Sequence, residues 1–310
     1  MALERLLEDA TAGDPITGLK WTRKTLAALT RELQKKFHIG HTTVARLLKS
    51  KGIALRGNRK RLSPRQDAQR DRQFRYIARL RGKFAKAKVP SISVDTKKKE
   101  LIGTFKNAGR TWRRTPLEVF ATDFPKDAKA KAIPYGIYDL LRKEGYVVVG
   151  TSHETPAFAV AAIRGWWLEV GGHQHGDKRE LFILADGGGA NGNHCWLWKW
   201  HLQQLADEFQ LTITVAHYPT GASKWNPVEH CLFCYISRNW AGQPLISFET
   251  VLKFIRTTHT ATGLSCRARL DRRKYETGLK ITPEQKRQIN LQPHRILPEY
   301  NYTIRPHDYK

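Results

Sequence analysis

The chain has 310 residues, 40% of them hydrophobic and including 9 Trp, 10 Tyr and 12 Phe, which is enough apolar area to offset the cost of ordering a backbone and excludes intrinsic disorder. Its 54 Lys and Arg against 28 Asp and Glu leave +26, a charge density that repels itself in a compact state unless a polyanion neutralises it, so nucleic acid is the expected partner. Four Cys, no charged-then-apolar leader at Met1 and no apolar run near the roughly 20 residues of a bilayer span predict a soluble cytoplasmic protein without structural disulfides and without a membrane partner.

The charge is uneven. Residues 1–90 carry 23 Lys or Arg and 7 Asp or Glu, a net of +16, whereas the other 220 residues carry +10. Within the basic part, Leu26, Leu29 and Leu33 have helical spacing behind Thr22 or Thr25 as N-cap. The turn His38-Ile39-Gly40-His41 follows, then a second helix over 42–51 with Val44, Leu47 and Leu48 that stops at Gly52. Two short helices across a Gly-bearing turn suit a helix-turn-helix with Arg46, Lys49 and Lys51 toward DNA, and suit equally an αα-hairpin with a solvated basic face; the overall charge favours the first. Arg56, Arg59, Lys60 and Arg61 read as a linker that tracks phosphates rather than bases. Ser63-Pro64 starts a further helix to about Lys86, with Phe74, Ile77 and Leu80 on one stripe.

Beyond Pro90 the pattern alternates. Strands are expected at 92–95, 101–106, 135–139 and 146–151, a helix at 157–170, a buried strand at 180–186 that ends in a carboxylate, a turn at Gly187-Gly188-Gly189, a helix at 195–209, a strand at 211–217, and a helix from Asn226-Pro227 to Trp240. That order, four strands followed by alternating helices and strands, points to an α/β layer architecture. Asp95 closes the first strand, Asp186 closes a later one, and Glu229 lies in the first turn of the last helix, so all three can converge where open sheets place their sites.

Three carboxylates are a ligand set for hard cations. Phosphoryl transfer on DNA needs such cations on both sides of the reacting phosphorus, and a pair of Mg²⁺ about 3.5 to 4 Å apart would activate the nucleophile and stabilise the leaving oxygen. Each acid also has an ordinary reading: Asp186 as a turn former, Glu229 as a helix-dipole partner, Asp95 as an ion-pair partner of the lysines after it. Cys231 and Cys234 lack a second ligand pair at zinc-site spacing, Cys195 has no base beside it, and His173 and His175 lie in a Gly-rich loop. The glycines at 187–192 lack the Lys and Ser/Thr of a phosphate-binding loop. Asp123 and Asp127 compete as metal candidates but fall in a Pro-containing loop.

The stretches Ser93-Val-Asp-Thr-Lys-Lys-Lys-Glu-Leu-Ile-Gly103, Phe105-Lys-Asn-Ala-Gly-Arg110, Ala132-Ile-Pro-Tyr-Gly136, Ala185-Asp-Gly-Gly-Gly189 and Ser223-Lys-Trp-Asn226 with Glu229-His230 resemble the Rhodopirellula-type DDE transposases of bacterial insertion sequences (ISAzo-like), as do Phe74-Arg-Tyr76 and Asn301-Tyr-Thr-Ile-Arg305. The resemblance runs from about Asp14 to Pro306. It implies an RNase H-like catalytic core, a mixed sheet flanked by helices, behind a small all-α helix-turn-helix domain. It places the catalytic, metal-binding triad on Asp95, Asp186 and Glu229, with two Mg²⁺ or Mn²⁺ ions. It implies cleavage at the ends of the element and strand transfer of the 3′-hydroxyl into target double-stranded DNA, by a homo-oligomer on DNA in the bacterial cytoplasm at the nucleoid. Lys97, Lys98, Lys99, Lys224 and Trp225 flank the triad as expected DNA contacts. Members of the family commonly carry a further stretch with another helix-turn-helix before Trp21-Thr22, which reads here as a truncated copy or a gene with a late start, and Pro227 stands where a different residue is common in the family, an acceptable first helical residue. The expected divisions are a helix-turn-helix region at 1–62, a basic connecting helix at 63–89, the catalytic domain at 90–264 and an extension of unassigned role at 265–310. The competing functions are a repressor-like binding protein with an inactive core and a nuclease that cuts without joining.

Overall fold

The computed structural model describes Leu3 and residues 11–13, 20–22, 25–54, 69–176 and 178–308. The chain divides into two compact units, Met1–Leu62 and Ser63–Lys310. Arg56, Arg59, Lys60 and Arg61 and the Ser63-Pro64 helix start lie outside the described residues.

The first unit holds a short antiparallel pair, β1 (Thr11–Gly13) and β2 (Lys20–Thr22), and two helices, α1 (Leu26–Gln34) and α2 (His41–Ser50). Thr25 is the cap of α1, its hydroxyl accepting from the Ala28 N–H at 3.1 Å. The apolar stripe read from the sequence is what joins the helices: Leu29 and Leu33 pack with Val44 and Leu3, with Ile39 and Leu48 at the margin. Arg46, Lys49 and Lys51 remain on the exposed side of α2 and its end.

The second unit is a mixed nine-stranded sheet, counted among the described residues, with helices on both faces. Helix α3 (Arg70–Lys86) leads into β3 (Ser91–Thr96), β4 (Glu100–Ile102), β5 (Ala130–Asp139) and β6 (Glu144–Gly150). Then come α4 (Pro156–Trp166), β7 (Glu180–Ala185), α5 (Trp196–Phe209) and β8 (Thr212–His217). Next, the π-helical turn Glu229–Phe233 runs into α6 (Cys234–Asn239), followed by α7 (Phe248–Arg256), β9 (Ser265–Asp271), α8 (Pro283–Arg287), β10 (Leu291–Pro293) and β11 (Asn301–Ile304). Across the sheet the order is β10-β11-β8-β7-β3-β5-β6-β9, with β4 on β5. The central β3 is parallel to β7 and antiparallel to β5, and β7 is parallel to β8.

Strand alternation sets the layers. Leu181, Ile183 and Ala185 of β7 face one way, with Val94, Tyr135 and Val148, onto Phe158, Ile163, Trp198 and Leu202 of α4 and α5. Phe182 and Leu184 face the other way, onto Tyr76, Ile77, Leu80 and Phe84 of α3. Further along that second face, Val147 and Val149 of β6 meet Val228, Leu232, Phe233, Ile236 and the α7 residues Val251 and Ile255.

Several expectations are corrected here. The strand expected over 101–106 stops at Ile102, because Gly103 turns the chain into a long connection before β5. The helix expected over 157–170 passes into a π-helical stretch after Trp166, and His175 beyond it, expected in a Gly-rich loop, has a buried side chain whose Nε2 lies 2.6 Å from Asp139 Oδ2. The segment from 265 set apart as an extension supplies β9 parallel to β6 and β11 antiparallel to β8, because its alternating residues complete both margins of the sheet.

Gly136 lies opposite Asp95 in the β3–β5 pairing, and a Cβ there would stand 2.3 Å from Phe233 Cε1 and 3.1 Å from Val228 Cγ2. Gly136→Ala should therefore lower stability by about 1–3 kcal/mol through overpacking, read as a lower urea midpoint at unchanged slope.

Candidate active site

The carboxyl ends of β3 and β7 bring Asp95 and Asp186 side by side, since the two strands are parallel neighbours. Glu229 reaches the same edge from the helical layer on the second face. Its approach is built from buried polar groups. Ser93 Oγ donates to Asn226 Oδ1 at 2.5 Å and accepts from the Val228 N–H at 2.8 Å, while the Asn226 amide donates to the Val94 carbonyl at 3.1 Å. Asn226 stands directly before the helix that begins at residue 227, the N-cap position expected ahead of Pro227, and its side chain ties that start to β3, two residues from Asp95.

Asp186 is held from behind. His217, at the end of β8 and fully buried, donates from Nδ1 to the Asp186 carbonyl at 2.9 Å and accepts at Nε2 from the Tyr302 hydroxyl at 3.1 Å. Tyr302 in turn accepts from Trp198 Nε1 at 3.0 Å. Burial lowers the His217 pKa to about 4, which keeps the imidazole neutral, and the Asp186 carbonyl, which can only accept, places its proton on Nδ1. One residue along, the Gln73 amide donates to the His217 carbonyl at 2.8 Å and exchanges hydrogen bonds with Asn301, so α3 and β11 brace the same corner.

The acids act on one another. Burial, then the charge of Asp186, raise the Asp95 pKa to about 8 against the Thr96 N–H at 2.7 Å, with Glu229 and Glu154 adding to the rise. Burial also raises Asp186, opposed by the Gly188 N–H and reinforced by Glu154. Glu229 is raised by burial, opposed by Lys97 and reinforced by Asp186. Among the described residues, no three His, Cys, Asp or Glu side chains stand at the spacing that holds an ion. In donor chemistry the set nonetheless fits a hard cation, being carboxylates drawn together against their own repulsion.

The flanking residues divide. Lys97, expected on DNA, is buried: its ammonium pairs with Glu100 and lies 4.6 Å from the Trp240 ring centre. Lys98 and Lys99 are exposed and line a cleft with Lys106 and Lys131. Lys224 is exposed over Trp225, and Trp225 packs edge-on against Phe74. Asp123 lines the lysine cleft and Asp127 ends an exposed 3-10 turn. Cys234 Sγ donates to the His230 carbonyl, as expected of a thiol inside a helix rather than a zinc ligand.

With this geometry in place, the comparison with known families decides the assignment: the model of the Rhodopirellula transposase DDE domain matches residues 2–306. The chain belongs to that family. It is a transposase domain, and its fold is the mixed sheet flanked by helices that the resemblance implies. No curated protein matches the chain. Among solved structures, the Mos1 transposase paired-end complex with left transposon end has 14% identity and a TM-score of 0.45, over 81% of this chain and 68% of that one. The mariner Mos1 paired-end complexes with Mn and with Mg give 14% and TM-scores of 0.41 and 0.44 over the same shares. At that identity and score the likeness is remote.

The sequence reading missed Ser93, Asn226, His217, Tyr302 and Glu154 as parts of the site. Ser93, Asn226 and Tyr302 fall inside the family stretches, a signal that was present, whereas His217 and Glu154 carried none. Ser93→Ala should cost about 1–3 kcal/mol by stranding the Val228 N–H and the Asn226 Oδ1, and should slow strand cleavage by about 10- to 100-fold if Glu229, on the helix start this clasp holds, serves the reaction. Urea unfolding and a cleavage time course measure the two effects separately.

Proposed function

We propose that the chain cuts DNA at the ends of its own element and joins the freed 3′-hydroxyl to target DNA by direct transesterification, with Asp95, Asp186 and Glu229 as the catalytic triad. The observation that carries this reading is the convergence of three raised-pKa carboxylates at the carboxyl edge of the sheet in a DDE family chain. These three residues would hold two Mg²⁺ or Mn²⁺ ions, which when bound supply activation of the attacking oxygen and neutralisation of charge on the leaving one. The chain's own part is to present the oxygens in a fixed frame. Asp186 is held through its carbonyl by His217, and Glu229 through the Ser93–Asn226 clasp. Lys97, next to Trp240 and Glu100, keeps a positive charge near Glu229 and favours its ionised form.

On this reading DNA runs along the exposed cations. Lys98, Lys99 and Lys224 take backbone phosphates beside the triad, and Trp225 offers a half-exposed ring for stacking. Helices α1 and α2 act as a helix-turn-helix, with Arg46, Lys49 and Lys51 on its exposed basic side, and Arg56, Arg59, Lys60 and Arg61 continue the contacts along the backbone. Synapsis of two ends calls for a homo-oligomer on DNA, at the bacterial nucleoid.

The decisive experiment is a supercoiled plasmid carrying the element's ends, with Mg²⁺ or Mn²⁺. Asp95→Asn, Asp186→Asn and Glu229→Gln should each lower nicking and joining at least 1,000-fold while binding the ends as tightly as wild type. Cleavage that persists in all three would reject the triad, and nicking without joined product would leave a nuclease. Alanine at Arg46 or Lys49 should weaken binding to the ends and lower the slope of log affinity against log salt by about one each, measured by fluorescence anisotropy over a salt series.

A further inference from the structure

Glu229 approaches the sheet edge from one helical layer, and Glu154 approaches it from the other. Glu154 sits between β6 and α4, directly before Thr155, the cap of α4. That layer packs on the face of the sheet carrying Val94 and Tyr135, opposite to the Val228–Phe233 layer. One oxygen of Glu154, Oε2, lies 3.2 Å from Lys99 Nζ, four residues after Asp95. The other, Oε1, lies 3.4 Å from where a Cβ would stand at Gly189, three residues after Asp186. The carboxylate therefore spans the two loops that follow the two aspartates.

A second observation is independent of the acids. Thr96 and Tyr135 face each other across β3 and β5, and their hydroxyls are both buried with no hydrogen-bond partner. Tyr135 is fully buried, packs against Phe158 of α4, and its hydroxyl lies in the combined field of Asp95, Asp186 and Glu154. A buried hydroxyl left unpaired costs about 1–3 kcal/mol, so the Tyr135 hydroxyl, in the field of these carboxylates, calls for a polar partner beside them.

We propose that Glu154 is a fourth carboxylate of the site, an oxygen donor to the divalent cation that Asp95 and Asp186 would hold, and that Lys99 neutralises it until the cation arrives. The inference rests on the triad reading above. Lys99 is half-exposed and Glu154 is 23% exposed, so their pair is weak enough to be exchanged. The exchange also releases Lys99 toward DNA at the moment the site is charged, which couples cation uptake to phosphate binding.

The test is Mn²⁺ binding to the full chain without DNA, followed by electron paramagnetic resonance of the free ion, with thermal unfolding in the absence of metal as the control for folding. Glu154→Gln should weaken Mn²⁺ binding about tenfold while the metal-free midpoint stays level or rises, because one repelling charge has gone. Lys99→Gln should tighten Mn²⁺ binding several-fold, and that gain should vanish in the double variant with Glu154→Gln. Wild-type affinity in Glu154→Gln, alongside a loss in Asp186→Asn, overturns the fourth carboxylate and leaves the triad standing. A Lys99→Gln gain that persists in the double variant overturns the exchange. Unchanged Mn²⁺ binding in Asp186→Asn overturns the triad reading and this inference with it.

Discussion

Everything at the carboxyl edge of the sheet answers to one constraint, the cost of burying carboxylates beside one another. Burial raises each of the three acids first, and their mutual repulsion adds to it. Asp95, at about 8, registers that cost. Such a cluster keeps its geometry only if the backbone beneath it cannot yield. The chain meets that requirement with hydrogen bonds that are themselves buried: Ser93 with Asn226 and Val228 on one side, His217 with Tyr302 and Trp198 on the other. Each member satisfies the next, so loosening one leaves a stranded donor or acceptor rather than a free side chain.

This explains why the C-terminal segment belongs to the site although it lies far from the triad in sequence. Tyr302 and Asn301 sit on β11, antiparallel to β8, and reach His217 and Gln73 from there. Helix α3 enters the same corner through Gln73 while Phe84 stacks on Phe182 of β7. The connecting helix, the last strand and the strand end next to Asp186 are thus one mechanical unit. At the opposite margin, β9 extends the sheet beside β6, and its Cys266 joins the cluster that holds Val251 and Ile255 of α7.

The positive charge is arranged in two grades. Lys97 is buried between Glu100 and Trp240 and acts on Glu229 without reaching solvent. Lys98 and Lys99, its immediate neighbours, stand in an open cleft with Lys106 and Lys131. A run of three identical residues therefore splits into one internal counter-charge and two surface cations, because Lys97 finds Glu100 and the Trp240 ring while its neighbours point to solvent.

What the sequence by itself determined were the properties that act locally or by sum. The +26 charge, the helical stripes of α1, α2 and α3, the apolar run of β7 and the strand-end positions of Asp95 and Asp186 follow from period, composition and turn chemistry, and the family stretches pointed to Asp95, Asp186 and Glu229 as the proposed triad. Tertiary structure alone decided which margin residues joined the sheet, that Lys97 turned inward, that His175 met Asp139, and that His217 and Glu154 came to the acids. These depend on pairings such as Ser93 with Asn226, 133 residues apart, and Gln73 with Asn301, 228 apart. The reason is physical: burial and hydrogen-bond partnership are set by whichever element lies across the sheet, and local periodicity carries no information about that neighbour.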